Sequence, residues 1–358
     1  MEIIEPGSTI GILGGGQLAR MLTLAAAPLG YKCHIYCPEE RSPAFQVADA
    51  YTIAAYDDEE ALAKFASEVA VVTYEFENVP AATAEFIAKL KPLRPSALAL
   101  EISQDRLVEK TFLAEHGIAT APFAPFQSKD ELKAAVKKVG LPAIAKTRRG
   151  GYDGKGQAIL HSQLDINDAF VAMKGVPAIL EGFIAFDREV SAIVARGADN
   201  RIAAYPIAEN KHTNHVLDET TVPANISEKL AATAHVMAAK LANALDYVGI
   251  LSLELFVVEK TNEVLVNEIA PRVHNSGHWS IEGARTSQFE QHIRAVCGLP
   301  LGDAQNLGKV RMKNLFGDDI LKIEEWLSDP RAHYHHYGKH EAREGRKMGH
   351  VTWVDSQT

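Results

Sequence analysis

A strand that ends in a lysine and opens into a glycine loop restricts this chain more than any other segment. Ala143-Ile-Ala-Lys146 runs through Thr-Arg-Arg into Gly150-Gly151-Tyr152-Asp153-Gly154-Lys155-Gly156-Gln157. Four glycines in seven positions add no packing and cost backbone entropy, so the loop cannot be core. Bare N–H groups can approach an anion closely there, with Lys146 and Lys155 supplying charge from either side. The G-x-x-x-x-G-K-S/T spacing of a P-loop is absent, so a phosphate held here requires another fold. Taken alone, the loop fits a phosphate cover and a solvent-exposed hairpin equally well.

The segments around it read as three units. Residues 9–37 pattern as β-α-β, with a helix from Gln17 to about Leu29, and a further strand is expected at Ala70–Tyr74 after a helix near Glu59–Glu68. A helix at Ala81–Leu90 completes an alternating unit, which implies a parallel sheet covered by helices. One helix is expected over Ser103–His116, with Gly117 as its C-cap. Ser128-Lys-Asp-Glu131 is a capping box opening a helix to Val139. Strands at Ala143–Lys146, Ala158–Leu160 and Ala178–Glu181 and a helix at Asp165–Met173 make a compact second unit. The remainder patterns as antiparallel: strands at Glu189–Val194, Arg201–Pro206, Gly249–Val258, Glu263–Ile269, Val310–Leu315 and Gly349–Val354. Helices are expected at Ser227–Leu245 and Ser287–Val296. The divisions fall at 1–117, 118–185 and 186–358, an α/β domain followed by two α+β units.

The 358 residues allow two or three domains, and 47% hydrophobic with 23% charged residues is a globular composition with ample core. A net charge of −9 argues against a nucleic-acid partner while leaving room for a local anion pocket. No apolar run reaches the roughly 20 residues of a membrane helix. Cys33, Cys37 and Cys297 offer neither a disulfide framework nor zinc spacing, which points to a reducing cytoplasm.

Three further clusters carry chemistry. Gly14-Gly-Gly-Gln17-Leu18-Ala19 follows a strand and opens a helix, so it fits the dinucleotide pattern G-x-G-x-x-A with Glu39 or Glu40 as the ribose acid. Other phosphate-binding sheets use the same turn, because a helix N-terminus attracts phosphate whatever carries it. Glu254 and Glu268 each lie in an apolar strand, and antiparallel pairing would set them side by side. Two like charges there require a cation or a proton, and magnesium suits carboxylates next to phosphates; the plainer reading is one glutamate facing solvent. Asn267-Glu-Ile-Ala-Pro-Arg272-Val-His274-Asn275-Ser-Gly-His278-Trp279 concentrates hydrogen-bonding side chains as a substrate loop would. Lys339, Arg343, Arg346, Lys347 and His350 form a basic tail, either a solvated face or an anion site.

Gly-Gly-Gly-Gln-Leu-Ala-Arg-Met, Tyr74-Glu75-Phe-Glu77-Asn78-Val-Pro, Gly-Gly-Tyr-Asp-Gly-Lys-Gly-Gln, the His-Asn-Ser-Gly-His block and Arg346-Lys-Met-Gly-His occur in this order. Together they resemble the N5-carboxyaminoimidazole ribonucleotide synthetase family of ATP-grasp enzymes, over nearly the whole chain. The resemblance implies three domains, an N-terminal parallel α/β domain, a small lid and a larger C-terminal domain, with ATP clamped between the last two. It places ATP at Arg106, Lys146, the Gly151, Tyr152, Asp153, Gly154, Lys155, Gly156, Gln157 loop, the Glu181, Gly182, Phe183, Ile184 strand, Glu189, His212, Asn267 and Glu268. Magnesium would fall to Glu254 and Glu268. Tyr152 and Asp153 would face the aminoimidazole, with Glu75 at its imidazole end. Arg272, His274 and Asn275 would sit near bicarbonate or carboxyphosphate. Lys339 and Arg346 would clamp the substrate phosphate, and Gln17 and Leu18 would touch the ribonucleotide. The implied reaction carboxylates aminoimidazole ribonucleotide with ATP and bicarbonate, in a cytoplasmic homodimer. Competing expectations are another ATP-grasp ligase, an NAD-dependent oxidoreductase built on Gly14–Ala19, and a nucleotide sensor.

Overall fold

The structure is a computed structural model and describes residues 3–150 and 156–356. The first unit contains β1 (Thr9–Leu13), α1 (Gln17–Ala26), β2 (Lys32–Cys37), β3 (Ala50–Ile53), α2 (Glu59–Ser67), β4 (Val71–Tyr74), α3 (Ala81–Leu90), α4 (Ala97–Ser103) and α5 (Arg106–Glu115). Its sheet runs β3-β2-β1-β4 and every pairing is parallel, as β-α-β alternation demands. The second unit holds β5 (Phe123–Phe126), α6 (Lys129–Val139), β6 (Ala143–Thr147), β7 (Gln157–Leu160), α7 (Ile166–Ala172) and β8 (Ala178–Gly182). These strands form a separate antiparallel sheet, β5-β8-β6-β7. Ser128 and Glu131 make the reciprocal capping box expected at the start of α6.

The third unit comprises β9 (Arg188–Arg196), β10 (Ile202–Ala204), β11 (Ala208–Thr213), β12 (Val216–Val222), α8 (Glu228–Ala244), β13 (Gly249–Val258), β14 (Glu263–Ala270), α9 (Ser280–Gly283), α10 (Gln288–Val296), β15 (Gly308–Phe316), α11 (Ile323–Trp326), β16 (Ala332–His336) and β17 (Lys347–Ser356). Its antiparallel sheet has nine strands, ordered β14-β13-β9-β11-β12-β15-β17-β16 with β10 paired to β9. One apolar cluster joins Ile10, Leu18 and Cys33 of the first unit to Ile193, Ile250, Phe289 and Met312 of the third. The first sheet and the large sheet therefore share a core.

Five strands were not legible in the sequence; one is β5, four residues with Pro125 inside them, and a proline argues against a strand. β3 is largely exposed, while β11, β12 and β16 mix charged, amide and histidine side chains, so none shows clean apolar alternation. The helix expected over Ser103–His116 starts later, as α5 at Arg106, and α4, a separate helix the sequence did not signal, precedes it. α4 ends at Ser103, and Asp105 caps α5 by accepting from Leu107 N at 3.0 Å and Val108 N at 3.4 Å. The Asp105 carboxylate also takes Arg148 and Arg149 from the glycine-loop side, so the break ties the first unit to the second.

His292 of α10 pins the shared core. Its Nε2 lies 2.8 Å from Thr73 Oγ1 of β4, and its Nδ1 accepts from Ile250 N of β13 at 3.1 Å. Complete burial pushes the imidazole down to about 3. A base depressed in the folded state stabilises it above the unfolded value of about 6.5, and that stability is lost as pH falls toward 3. Urea unfolding should show a loss of up to about 1.4 kcal/mol per pH unit from this group below pH ~6.5. The slope should shrink in His292→Asn; an unaltered slope would assign the acid lability elsewhere.

Candidate active site

β13 and β14 pair so that Glu254 and Glu268 are direct Cα partners, with a bulge just beyond Glu254. The two carboxylates thus come together as antiparallel pairing predicted. Glu254 Oε1 lies 3.0 Å from His274 Nε2, and Glu268 Oε2 lies 3.9 Å from an Arg106 guanidinium nitrogen. Burial would raise the Glu254 carboxyl, but the hydrogen bond from His274, with His212 and Lys347 nearby, holds it well below the usual carboxylate range. Glu268 is half-exposed, and partial loss of water, then the Glu254 charge, push its carboxyl up. Among the described residues, no group of three or more histidine, cysteine or carboxylate ligands forms a metal cage. Two adjacent carboxylates are what magnesium takes from a protein when phosphates supply further oxygens, so this donor set fits that ion.

The lid side faces this pair. Lys146 of β6 places Nζ 2.9 Å from Glu181 Oε2 of β8, and Lys110 of α5 reaches the same oxygen at 3.8 Å. Lys110 is fully buried and donates to Asn267 O at 2.5 Å and Val266 O at 3.1 Å. A cleft of about 60 Å³ opens between Lys110, Lys146, the Glu181–Ile184 strand, Phe256 and Asn267. Phe186 and Phe256 stack at its edge with ring centroids 4.5 Å apart. An adjoining hollow is lined by Glu189, His212, Glu254 and Asn267, and His212 Nδ1 lies 2.6 Å from Glu189 Oε2. Arg106 donates to Thr147 O at 3.3 Å, which sets it beside the lid strand.

Gly156 adopts φ +70°, and a Cβ there would sit 2.8 Å from Thr147 Oγ1, so the return of the loop into β7 requires glycine. Gln157 pairs with Lys146 in register. The expectations placed on Gly151, Tyr152, Asp153, Gly154 and Lys155 fall outside the described residues.

On the opposite side, Arg272 forms an ion pair with Glu77, a partner that the sequence reading left without a role. Asn275 exchanges two amide hydrogen bonds of 2.9 Å with the buried Asn314 of β15. The first glycine turn departs from expectation. Glu75 Oε1 accepts from Gly16 N at 2.7 Å and Oε2 from Ala19 N at 3.2 Å, so a carboxylate of the chain itself fills the N-terminus of α1. A Cβ at Gly14 would lie 2.6 Å from Glu75 Cγ, and one at Gly15 would lie 2.6 Å from Cys37 Sγ. These glycines make room for Glu75 and β2, and leave no place for a dinucleotide pyrophosphate. The Leu18 side chain is buried in the shared core, so any contact of this residue with a ribonucleotide would fall to its main chain. Gln17 stays half-buried at the helix start.

The basic tail approaches the same corner. Gln46 Nε2 donates to Gly338 O at 2.8 Å, tying the tail to the first unit. Lys339 Nζ donates to Lys347 O at 2.7 Å, and Arg346 is exposed beside it. Burial, then the Arg346 charge, lowers the Lys339 ammonium to about 8, with Glu75 opposing.

Three family models tile the chain: a ribonucleotide synthetase preATP-grasp domain over 7–104, an ATP-grasp domain over 111–289, and a phosphoribosylaminoimidazole carboxylase C-terminal domain over 311–358. An N5-carboxyaminoimidazole ribonucleotide synthase of Brucella melitensis is 51% identical, covering 99% of this chain and 98% of its own. The chain belongs to the N5-carboxyaminoimidazole ribonucleotide synthase family. A solved N5-carboxyaminoimidazole ribonucleotide synthetase in complex with ADP matches with TM-score 0.95 and 41% identity, over 99% of this chain and 94% of that one. The Aspergillus clavatus synthase, solved with ADP and 5-aminoimidazole ribonucleotide, matches with TM-score 0.90 and 31% identity, over 98% and 94%. The fold is ATP-grasp, as the motifs implied. In this member of the synthase family, Arg106 and Lys110 lie in the short segment between the first two matched domains.

Proposed function

We propose that this enzyme carboxylates 5-aminoimidazole ribonucleotide to N5-carboxyaminoimidazole ribonucleotide, coupled to ATP cleavage, with the Glu254–Glu268 pair and the Lys146–Glu181 cleft as its nucleotide end. The in-register carboxylates opposite the cleft lysines carry the reading, because phosphoryl transfer is governed by positioning and charge neutralisation. An oxygen of bicarbonate attacks the γ-phosphorus, the bond to the ADP oxygen breaks, and carboxyphosphate forms. The exocyclic amine then attacks the carboxyl carbon, expelling phosphate and losing a proton. Magnesium, held by Glu254 and Glu268, would neutralise phosphate charge.

The chain's own groups divide the remaining work. Lys146 and Arg106 receive phosphate oxygens, the Glu181–Ile184 backbone faces adenine, and Glu189 with His212 and Asn267 faces the ribose and phosphates. Arg272, His274 and Asn275 serve bicarbonate or carboxyphosphate; the Glu77 ion pair holds Arg272 in place for this. Lys339 and Arg346 bind the substrate phosphate, next to Glu75 and Gln17. Tyr152 and Asp153 on the loop would orient the amine and take its proton, and closure over them would shield carboxyphosphate from water. We divide the chain at 117 and 185 and place it as a homodimer in the cytoplasm. Three free cysteines, all buried, accord with a reducing compartment, and no helix of the described residues is long and apolar enough to cross a membrane.

The deciding assay follows ADP release with ATP, magnesium and bicarbonate, with and without 5-aminoimidazole ribonucleotide. Stimulation with formation of the carboxylated product is expected; neither effect would refute the assignment. The pH dependence offers a second check. Lys339 is a cation below about 8 and loses its charge above it. The apparent KM for the ribonucleotide should therefore rise above pH ~8, and Lys339→Arg should move that rise beyond the range. A flat KM up to pH 9 would place the phosphate elsewhere.

A further inference from the structure

Gln288, the first residue of α10, is fully buried and has no part in the site as read so far. Its carboxamide meets the main chain of His274 on both sides. Oε1 accepts from His274 N at 2.9 Å, and Nε2 donates to His274 O at 2.7 Å. Nε2 also lies 3.1 Å from His278 Nδ1. The Gln288 N–H donates to Ser280 Oγ at 2.9 Å, and that hydroxyl donates to Gly277 O at 2.6 Å. The carboxamide and the main-chain N–H of one residue thus hold the His274–Ser280 turn at both ends.

His274 itself is extended, with φ −126° and ψ 151°, yet lies outside every strand. An extended residue needs partners for its N–H and C=O, and the Gln288 carboxamide supplies both as a neighbouring strand would. The imidazole is then oriented by its own loop. Ser276 N donates to His274 Nδ1 at 3.3 Å, and Ser276 Oγ lies 2.8 Å from the same atom. A backbone N–H can only donate, so Nδ1 accepts and the proton resides on Nε2, facing Glu254 Oε1 at 3.0 Å. Gly277 belongs to the same device. A Cβ there would stand 2.5 Å from Gln288 Oε1 and 2.8 Å from Ile193 Cδ1, so any other residue would push the carboxamide off His274.

We infer that Gln288 is a positioning residue for the carboxylation reaction: by serving as the strand partner of His274, it aims the Nε2–H of that histidine at Glu254. The inference rests on the reading of Glu254 and His274 given above. Changing an outer partner that orients a ligand residue typically costs about 10–100-fold in affinity or activity.

The test is a double-mutant cycle on the intact enzyme. Gln288→Met keeps length and bulk but removes both hydrogen bonds. It should lower kcat about 10–100-fold while leaving the KM for 5-aminoimidazole ribonucleotide unchanged. In a His274→Ala background the same substitution should cost nothing further, because its effect passes through His274. An equal fold loss in both backgrounds would make Gln288 merely structural and overturn the inference, as would wild-type kcat in Gln288→Met. If Gln288→Met gives no cooperative melt, Gly277→Ala displaces the same carboxamide and is read in the same cycle. His274→Ala with wild-type kcat would overturn the inference together with the role given to His274. Wild-type protein lacking ribonucleotide-stimulated ADP release would instead remove the functional reading itself.

Discussion

Glu268→Gln is expected to lower kcat on the order of 10²–10³-fold while the protein stays folded. The substitution keeps the size of the side chain and removes its charge. Glu254 is already held ionised by His274, so the pair carries both charges only by crowding them, and partial desolvation with the Glu254 charge raises the half-exposed Glu268 carboxyl. Removing one charge relieves that repulsion, so urea unfolding should show unchanged or slightly greater stability. Catalysis should suffer because two carboxylates and substrate phosphates together make the cation site, and an amide oxygen is a weaker ligand for magnesium. Titration with magnesium should show a raised requirement in the variant. Near-normal kcat at saturating magnesium would remove Glu268 from the metal site.

Lys110→Met is expected to cost about 3–5 kcal/mol of stability, the range for breaking a buried ion pair from one side. The ammonium is almost wholly out of water and serves two carbonyls of β14 as well as the Glu181 carboxylate of β8. Methionine fills the space but leaves Val266 O and Asn267 O without this donor, and removes one of the two lysines that pair with Glu181. Lys110 also joins α5 to both walls of the cleft, so the KM for ATP should rise in the same variant. Adding Glu181→Gln should restore part of the lost stability by removing the uncompensated charge. A loss below about 1 kcal/mol would show that the ion pair is solvated, as exposed pairs are.

The two glutamates show how far reading the chain reached. Each sits in an apolar run, the runs are joined by a short polar turn, and a period of two fixes which side chains share a face. Their pairing was therefore legible before any coordinates, as was the capping box of α6, whose partners are three residues apart. Glu75 was not legible in the same way. Its partner is the N-terminus of α1, 59 residues earlier at Gly16, and the glycine turn reads as a phosphate site until that carboxylate is seen in it. Lys110 failed for another reason: a lysine in a helix is nearly always solvated, and only the packing of α5 against β14 buries it. β11 and β12 were missed because their inward faces carry His212, Asn210 and Thr220, polar groups serving the site or each other.

Local chemistry alone determined the alternating first unit, the glycine loop after Lys146, the carboxylate hairpin and, through motifs in fixed order, the family. These depend on neighbours within a few residues, where propensity and periodicity act. Tertiary structure alone decided that Glu75 fills the first glycine turn, that Glu77 holds Arg272, and that Gln288 grips His274. Each of these joins a charged or polar group to a partner brought close by burial of the shared core. The energy that makes such a pairing obligatory, the cost of an unpaired polar group away from water, exists only once the chain has folded.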